Sequence, residues 1–166
     1  MGYALLPRKH WKQQDYLLYT YDVIADMLRQ ADKKDLSAVT LEFADLAQGI
    51  SFEKADDIFN WMDNNGYHDA SIKLFERHVF FSLLKDFCFY IYESISCAAR
   101  GKVTVAYTLL RKPIRDNLLY LEWLLSDKED FYNKLLYHNF NEYDISKIKA
   151  DKIEYIVKSA SQKSYM

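Results

Sequence analysis

Residues 79–101, VFFSLLKDFCFYIYESISCAARG, and the run that follows over 102–125, KVTVAYTLLRKPIRDNLLYLEWLL, decide the fold. The first run is apolar nearly all the way round a 3.6-residue period and stops at Gly101. A helix of that kind belongs at the centre of a bundle. Its pattern extends back to Asp69, which predicts one long helix over about 69–100. The second run predicts a helix over about 103–125 with Pro113 in its interior. A proline there lacks a backbone donor and crowds the preceding turn, so a kink is expected. With Gly101 as the corner, the two form an antiparallel αα-hairpin whose facing residues have numbers summing to about 202.

Shorter helices flank this hairpin. Leu17, Thr20/Tyr21, Ile24, Met27/Leu28 and Ala31 recur at steps of three and four, predicting an amphipathic helix over about 11–34. A second is expected from about Ser37, with Val39, Phe43, Leu46 and Ala47 on one face and Gly49 as its left-handed stop. Ser51 can cap a third, ending at Asn64-Asn65-Gly66. Ser126 and Glu129 have capping-box spacing for a short helix to about His138, and a last one spans about 145–161. The expectation is an all-α helical bundle, a single domain over 1–166.

Composition supports this. Four Gly and two Pro in 166 residues leave little material for the tight turns of a many-stranded β protein. The net charge of −2 singles out no polyanionic partner. Its distribution is uneven, with seven acids against Lys54 over 36–70 and a surplus of three positive charges over 71–126. Cys88 and Cys97 lie nine apart in the apolar run and read as buried small hydrophobes. The apolar window over 79–99 is interrupted by Lys85, Asp86 and Glu93, which argues against a membrane span. A cytoplasmic protein with no metal and no cofactor is expected.

The few charges of the hairpin share stripes. Asp86 and Glu93 lie on one, and Arg111, Arg115 and Glu122 on another. Asp86 with Arg115 sums to 201, Glu93 with Arg111 to 204, and Arg77 with Glu122 to 199. The expectation is a ladder of three interhelical ion pairs that fixes register.

Most catalytic constellations are absent. There is no HExxH, no Glu-x-x-His, no GxSxG and no phosphate-loop motif. Residues 41–67 resemble a winged helix-turn-helix, but Glu53, Asp56, Asp57 and Asp63 would repel DNA phosphates. The aromatic residues read as core and interface packing, and exposure of Tyr16, Tyr19, Tyr120, Tyr132 and Tyr137 would favour a homodimer.

The stretch from Gly101 through Ala106, Leu109-Leu110-Arg111, Asp116 and Leu121-Glu122-Trp123-Leu124 resembles a bacterial family of uncharacterised all-helical proteins. That family is similar to the HEPN domains of RNA-cleaving toxins and phage-defence systems. The resemblance covers about residues 75–130 and implies a role for Arg111 in RNA processing or nucleotide binding, with Arg115, His78 and His138 as further candidates. The HEPN ribonuclease pattern, Arg and His separated by four to six residues, occurs at none of the six arginines. An acid–base histidine beside a charge-stabilising arginine is what RNA cleavage requires. The leading expectation is therefore a non-catalytic module that associates with itself or another protein. HEPN-like RNA processing is the alternative, and a small-molecule sensor bundle is a third reading.

Overall fold

The computed structural model describes residues 5–137 and 144–164, and these are all-α. Helix α1 spans Trp11–Lys33, α2 Leu46–Glu53, α3 Ile58–Asn64 and α4 His68–Ala99. Helix α5 (Val103–Lys112) runs through a π-helical turn, Pro113–Asn117, into α6 (Leu118–Ser126). Helices α7 (Lys128–Tyr137) and α8 (Ala150–Ser164) complete the order.

The corner at Gly101 forms as expected. Gly101 has φ 74°, Lys102 N–H donates to Cys97 O at 2.9 Å, and Gly101 N–H donates to Ala98 O at 3.0 Å. These bonds satisfy the orphan carbonyls of α4 in a Schellman arrangement, and only glycine takes the left-handed corner without strain. Gly101→Ala should cost about 1–2 kcal/mol. The space is open, with the nearest atom to an added Cβ being Leu5 Cβ at 3.7 Å, so the cost is conformational. Urea unfolding of the two forms checks it.

The hairpin register also follows from that corner. Ser94 Oγ donates to Ala106 O at 2.8 Å, Lys112 Nζ to Tyr90 OH at 3.1 Å, and Asn117 Nδ2 to Leu83 O at 3.4 Å. Their residue numbers sum to 200, 202 and 200.

Pro113 is accommodated by the π turn. Without its N–H the chain cannot make that α-helical bond, and a wider turn rejoins the ladder where Leu118 N–H donates to Pro113 O.

The second predicted helix is corrected. Residues 38–45 are non-helical, and Arg77 on α4 donates to Ala38 O instead. Helix α2 starts only at Leu46, where Asp45 Oδ1 accepts from Gln48 N at 2.8 Å. Gly49 sits inside that helix against the Phe43 ring and does not end it. Asp57, not Ser51, caps α3, and Asp127, not Ser126, accepts from Asp130 N at the start of α7.

The main core lies at the end where α4, α6, α7 and α8 meet. Ile72, Phe75, Leu119, Trp123, Leu124, Phe131, Tyr132 and Ile156 are buried together there. Trp123 Nε1 donates to Asp130 Oδ2 at 2.8 Å, and Lys152 of α8 pairs with the same oxygen at 2.8 Å. Beyond this core, α1, α4 and α5 extend as a thinner arm.

Candidate functional site

The ladder of ion pairs does not form. Arg115 pairs with its neighbour Asp116 at 3.7 Å, Arg77 holds Ala38 O, and Arg111, Asp86 and Glu93 are exposed. The register is right but the phase is not. Ala106, Pro113 and Asn117 make the inward edge of the helix, and at about 100° per residue Arg111 is turned roughly 140° away from Ala106. Arg115 is exposed as well. Of the three pairs, only Arg77 and Glu122 come to one place, on opposite walls of a groove.

The nuclease candidates are not gathered. His78 faces the end of α1 beside Asp32 and Lys85, whereas Arg111 lies near the level of Ile91. Thirteen residues of α4 separate those levels, about 20 Å at 1.5 Å per residue. His138 lies outside the described residues. Among the described residues no group of three His, Cys, Asp or Glu side chains could hold a metal ion. Cys88 and Cys97 are buried and free, and no described helix is long and apolar enough to cross a membrane.

What the structure does assemble is a two-faced layer. Helix α4 meets α1 through Lys85, which approaches Asp32, through Tyr92, whose ring lies 4.9 Å from that of Tyr21, and through Ile95, whose carbonyl accepts from Gln14. It meets α5 and the π turn through Leu83, Tyr90 and Ser94. At about 100° per residue those two sets lie on opposite sides of α4, so the three helices form a flat layer with two open faces. One face of α4 carries Phe80, Leu84, Phe87 and Ile91, none of them buried. The other carries Ser82, Asp86, Glu93 and Arg100, with Phe89 among them.

Both flanking helices run antiparallel to α4, which fixes how their outer sides turn. With Gln14 and Tyr21 pointing inward, Leu17, Thr20 and Ile24 of α1 turn to the side of Phe80 and Ile91, Tyr16 and Met27 lie at the outer edge of that side, and Tyr19 and Val23 point away from α4. With Ala106 and Pro113 inward, Val103, Tyr107 and Ile114 turn to that side too, and Leu118 meets Phe80 in the groove. Tyr107 is 76% exposed, and Tyr16 and Val103 are each 69% exposed. The charged residues Asp15, Asp22, Asp26 and Arg29 occupy the opposite side of α1. Of the five tyrosines expected at the surface, Tyr16, Tyr19 and Tyr137 are exposed, Tyr120 is half-buried and Tyr132 is fully buried.

A second feature was not read from the sequence. Asp63 accepts from His68 Nδ1 at 2.9 Å, from Tyr132 OH at 2.9 Å and from Tyr137 OH. Tyr132 OH is also 2.5 Å from Ser71 Oγ. This network joins the end of α3 to α4 and α7. Burial alone would raise the Asp63 pKa, but hydrogen bonds from Tyr137, His68 and Tyr132 together outweigh it and hold the carboxyl below its ordinary 3.8. Burial first, then the bond to Asp63, raises the Tyr137 phenol. Such a network locks the packed end, since each buried polar group is satisfied.

A depressed carboxyl stabilises the fold above its unfolded pKa and stops doing so as pH falls through its folded one. The Asp130 carboxyl is depressed as well, where burial is outweighed by bonds from Lys152 and Trp123. The melting temperature should therefore be steady from pH 7 to about 5 and drop below about pH 4. Asp63→Asn should reduce that drop, which thermal melts across the pH series would measure.

Comparison with protein-family models, with curated proteins and with solved structures finds no match for this chain.

Proposed function

We propose that the protein is a non-catalytic association module whose apolar layer face binds a second copy of the same chain. The observation that carries this reading is the exposed apolar side chains on one face of the layer: Phe80 is 41% exposed, Ile114 54%, Val103 69% and Tyr107 76%.

A second copy suits this face chemically. The surface from Leu17 across Phe87 to Tyr107 is predominantly apolar, with the charges of Lys12 and Arg111 at its outer edges, so a two-fold copy meets mainly apolar with apolar. Phe80, Phe87 and Tyr107 give it aromatic surface, which is enriched at the buried centres of interfaces. Contiguous apolar surface of this extent is uncommon on a monomer.

Because a dimer is stabilised by mass action, the melting temperature should rise by several degrees as protein concentration increases from about 1 to 100 μM. An unchanged midpoint over that range counts against the reading.

A further inference from the structure

We propose that the groove between α4 and α6 binds a small amphipathic anion, an alkyl or aryl carboxylate, with its head group on Lys73 and Arg77 and its apolar body along Leu118, Leu121 and Leu125. This site is separate from self-association, although Phe80 and Leu118 border both.

The groove encloses about 770 Å³ and its floor is leucine and phenylalanine. That volume lies within the roughly 300–1,000 Å³ of small-molecule sites, which are apolar with a few polar groups at fixed places. Four charged residues border it: Lys73, Glu76 and Arg77 on α4, and Glu122 on α6.

Their partners decide the sign of the ligand. Glu76 is taken by Lys128, whose Nζ lies 3.3 Å from Oε2. Arg77 gives one N–H to Ala38 O and keeps the others. Lys73 forms no ion pair or hydrogen bond among the described residues. Lys73 and Arg77 are thus like charges one helical turn apart at an apolar wall, an arrangement that repels unless an anion sits between them. Glu122 is the one acid opposing this, and it is half-buried, with burial raising its carboxyl above the ordinary 4.5. Its charge is accordingly the easiest in the groove to neutralise. A carboxylate head with an apolar tail satisfies both the cations and the wall.

Isothermal titration of the full chain with decanoate, decyltrimethylammonium and decanol as probes tests this. Decanoate should bind at least about tenfold more tightly than decyltrimethylammonium, and Lys73→Gln should weaken decanoate by about tenfold while leaving decanol unchanged. Leu121→Trp, which fills the groove, should remove binding of both. Tyr107→Lys, on the layer face, should leave decanoate binding intact. Equal affinity for the cationic probe, or decanoate binding insensitive to Lys73→Gln, overturns the proposal. Decanoate binding lost in Tyr107→Lys but kept in Lys73→Gln overturns it too, placing the probe on the association face.

Discussion

Tyr107→Lys should convert the proposed dimer to a monomer, raising its dissociation constant by about 10³-fold. Tyr107 is 76% exposed on the isolated chain and stands between Val103 and Ile114 on the outer stripe of α5. In a two-fold interface one substitution is present twice, so about 2 kcal/mol lost per copy becomes about 4 kcal/mol per dimer. Lysine removes the ring and adds an ammonium group that finds no acid on the apolar stripes. Since the side chain is solvent-exposed within its own chain, the fold itself should survive. Thr108→Lys is the matched control. Thr108 is exposed, one residue along, on the other side of α5, and its hydroxyl bonds only Thr104 O of its own helix. Light scattering should report a monomer for the first variant and an unchanged mass for the second.

Trp123→Ala should have the largest effect on stability. Trp123 is 2% exposed, its ring packs edge-on against Phe131 at 5.3 Å, and its indole N–H holds Asp130. Lys152 of α8 lies over the same ring at 5.5 Å. Removing an aromatic side chain of this kind from a core costs about 3–5 kcal/mol through lost burial and the cavity left behind. Here Asp130 also loses a donor. For a chain of this size each kcal/mol corresponds to about 2–4 °C, so a fall of roughly 10 °C or more is expected. Trp123→Phe keeps the packing but not the N–H, and should cost about 1–2 kcal/mol. Urea unfolding of the three forms separates packing from hydrogen bonding.

The hairpin was legible because local rules dominate it. A glycine at the end of an apolar helix, followed by a second helix, fixes both the corner and the register, and the contacts Ser94–Ala106 and Tyr90–Lys112 obey that register. The phase was not legible. Helix α4 is apolar on most sides, so its sequence does not say which neighbours cover which stripe. Asp86 and Glu93 match Arg115 and Arg111 in number but belong to a different side of the layer, and only Arg77 and Glu122 share one. Residues 38–45 misled for a different reason: their apolar spacing suits a helix, but Val39, Leu41 and Phe43 line a pocket with Met62 and Leu74 from a non-helical segment. Asp45, three residues before Gln48, was the local signal that moved the start of α2.

The Asp63 network could not be read from spacing. Tyr132 and Tyr137 reach Asp63 from 69 and 74 residues away, and only packing of α7 against α4 brings them there. The one local hint is His68, five residues beyond Asp63 across the turn at Gly66, whose φ of 87° reverses the chain. The open apolar face shows the same limit from the other side. Leu17, Thr20 and Ile24 recur at helical spacing, but so do Tyr16, Tyr19, Val23 and Met27, and the sequence does not rank the two stripes. Only the position of α4 does.

Sedimentation equilibrium of the unmodified protein at micromolar concentration tests the central claim most directly. One copy has a mass of 19.7 kDa. A two-copy assembly closed over the apolar layer should give twice that value, falling toward the single-copy mass on dilution, and the Tyr107→Lys variant should give the single-copy mass throughout. A single-copy mass for the unmodified protein at every concentration would contradict the account.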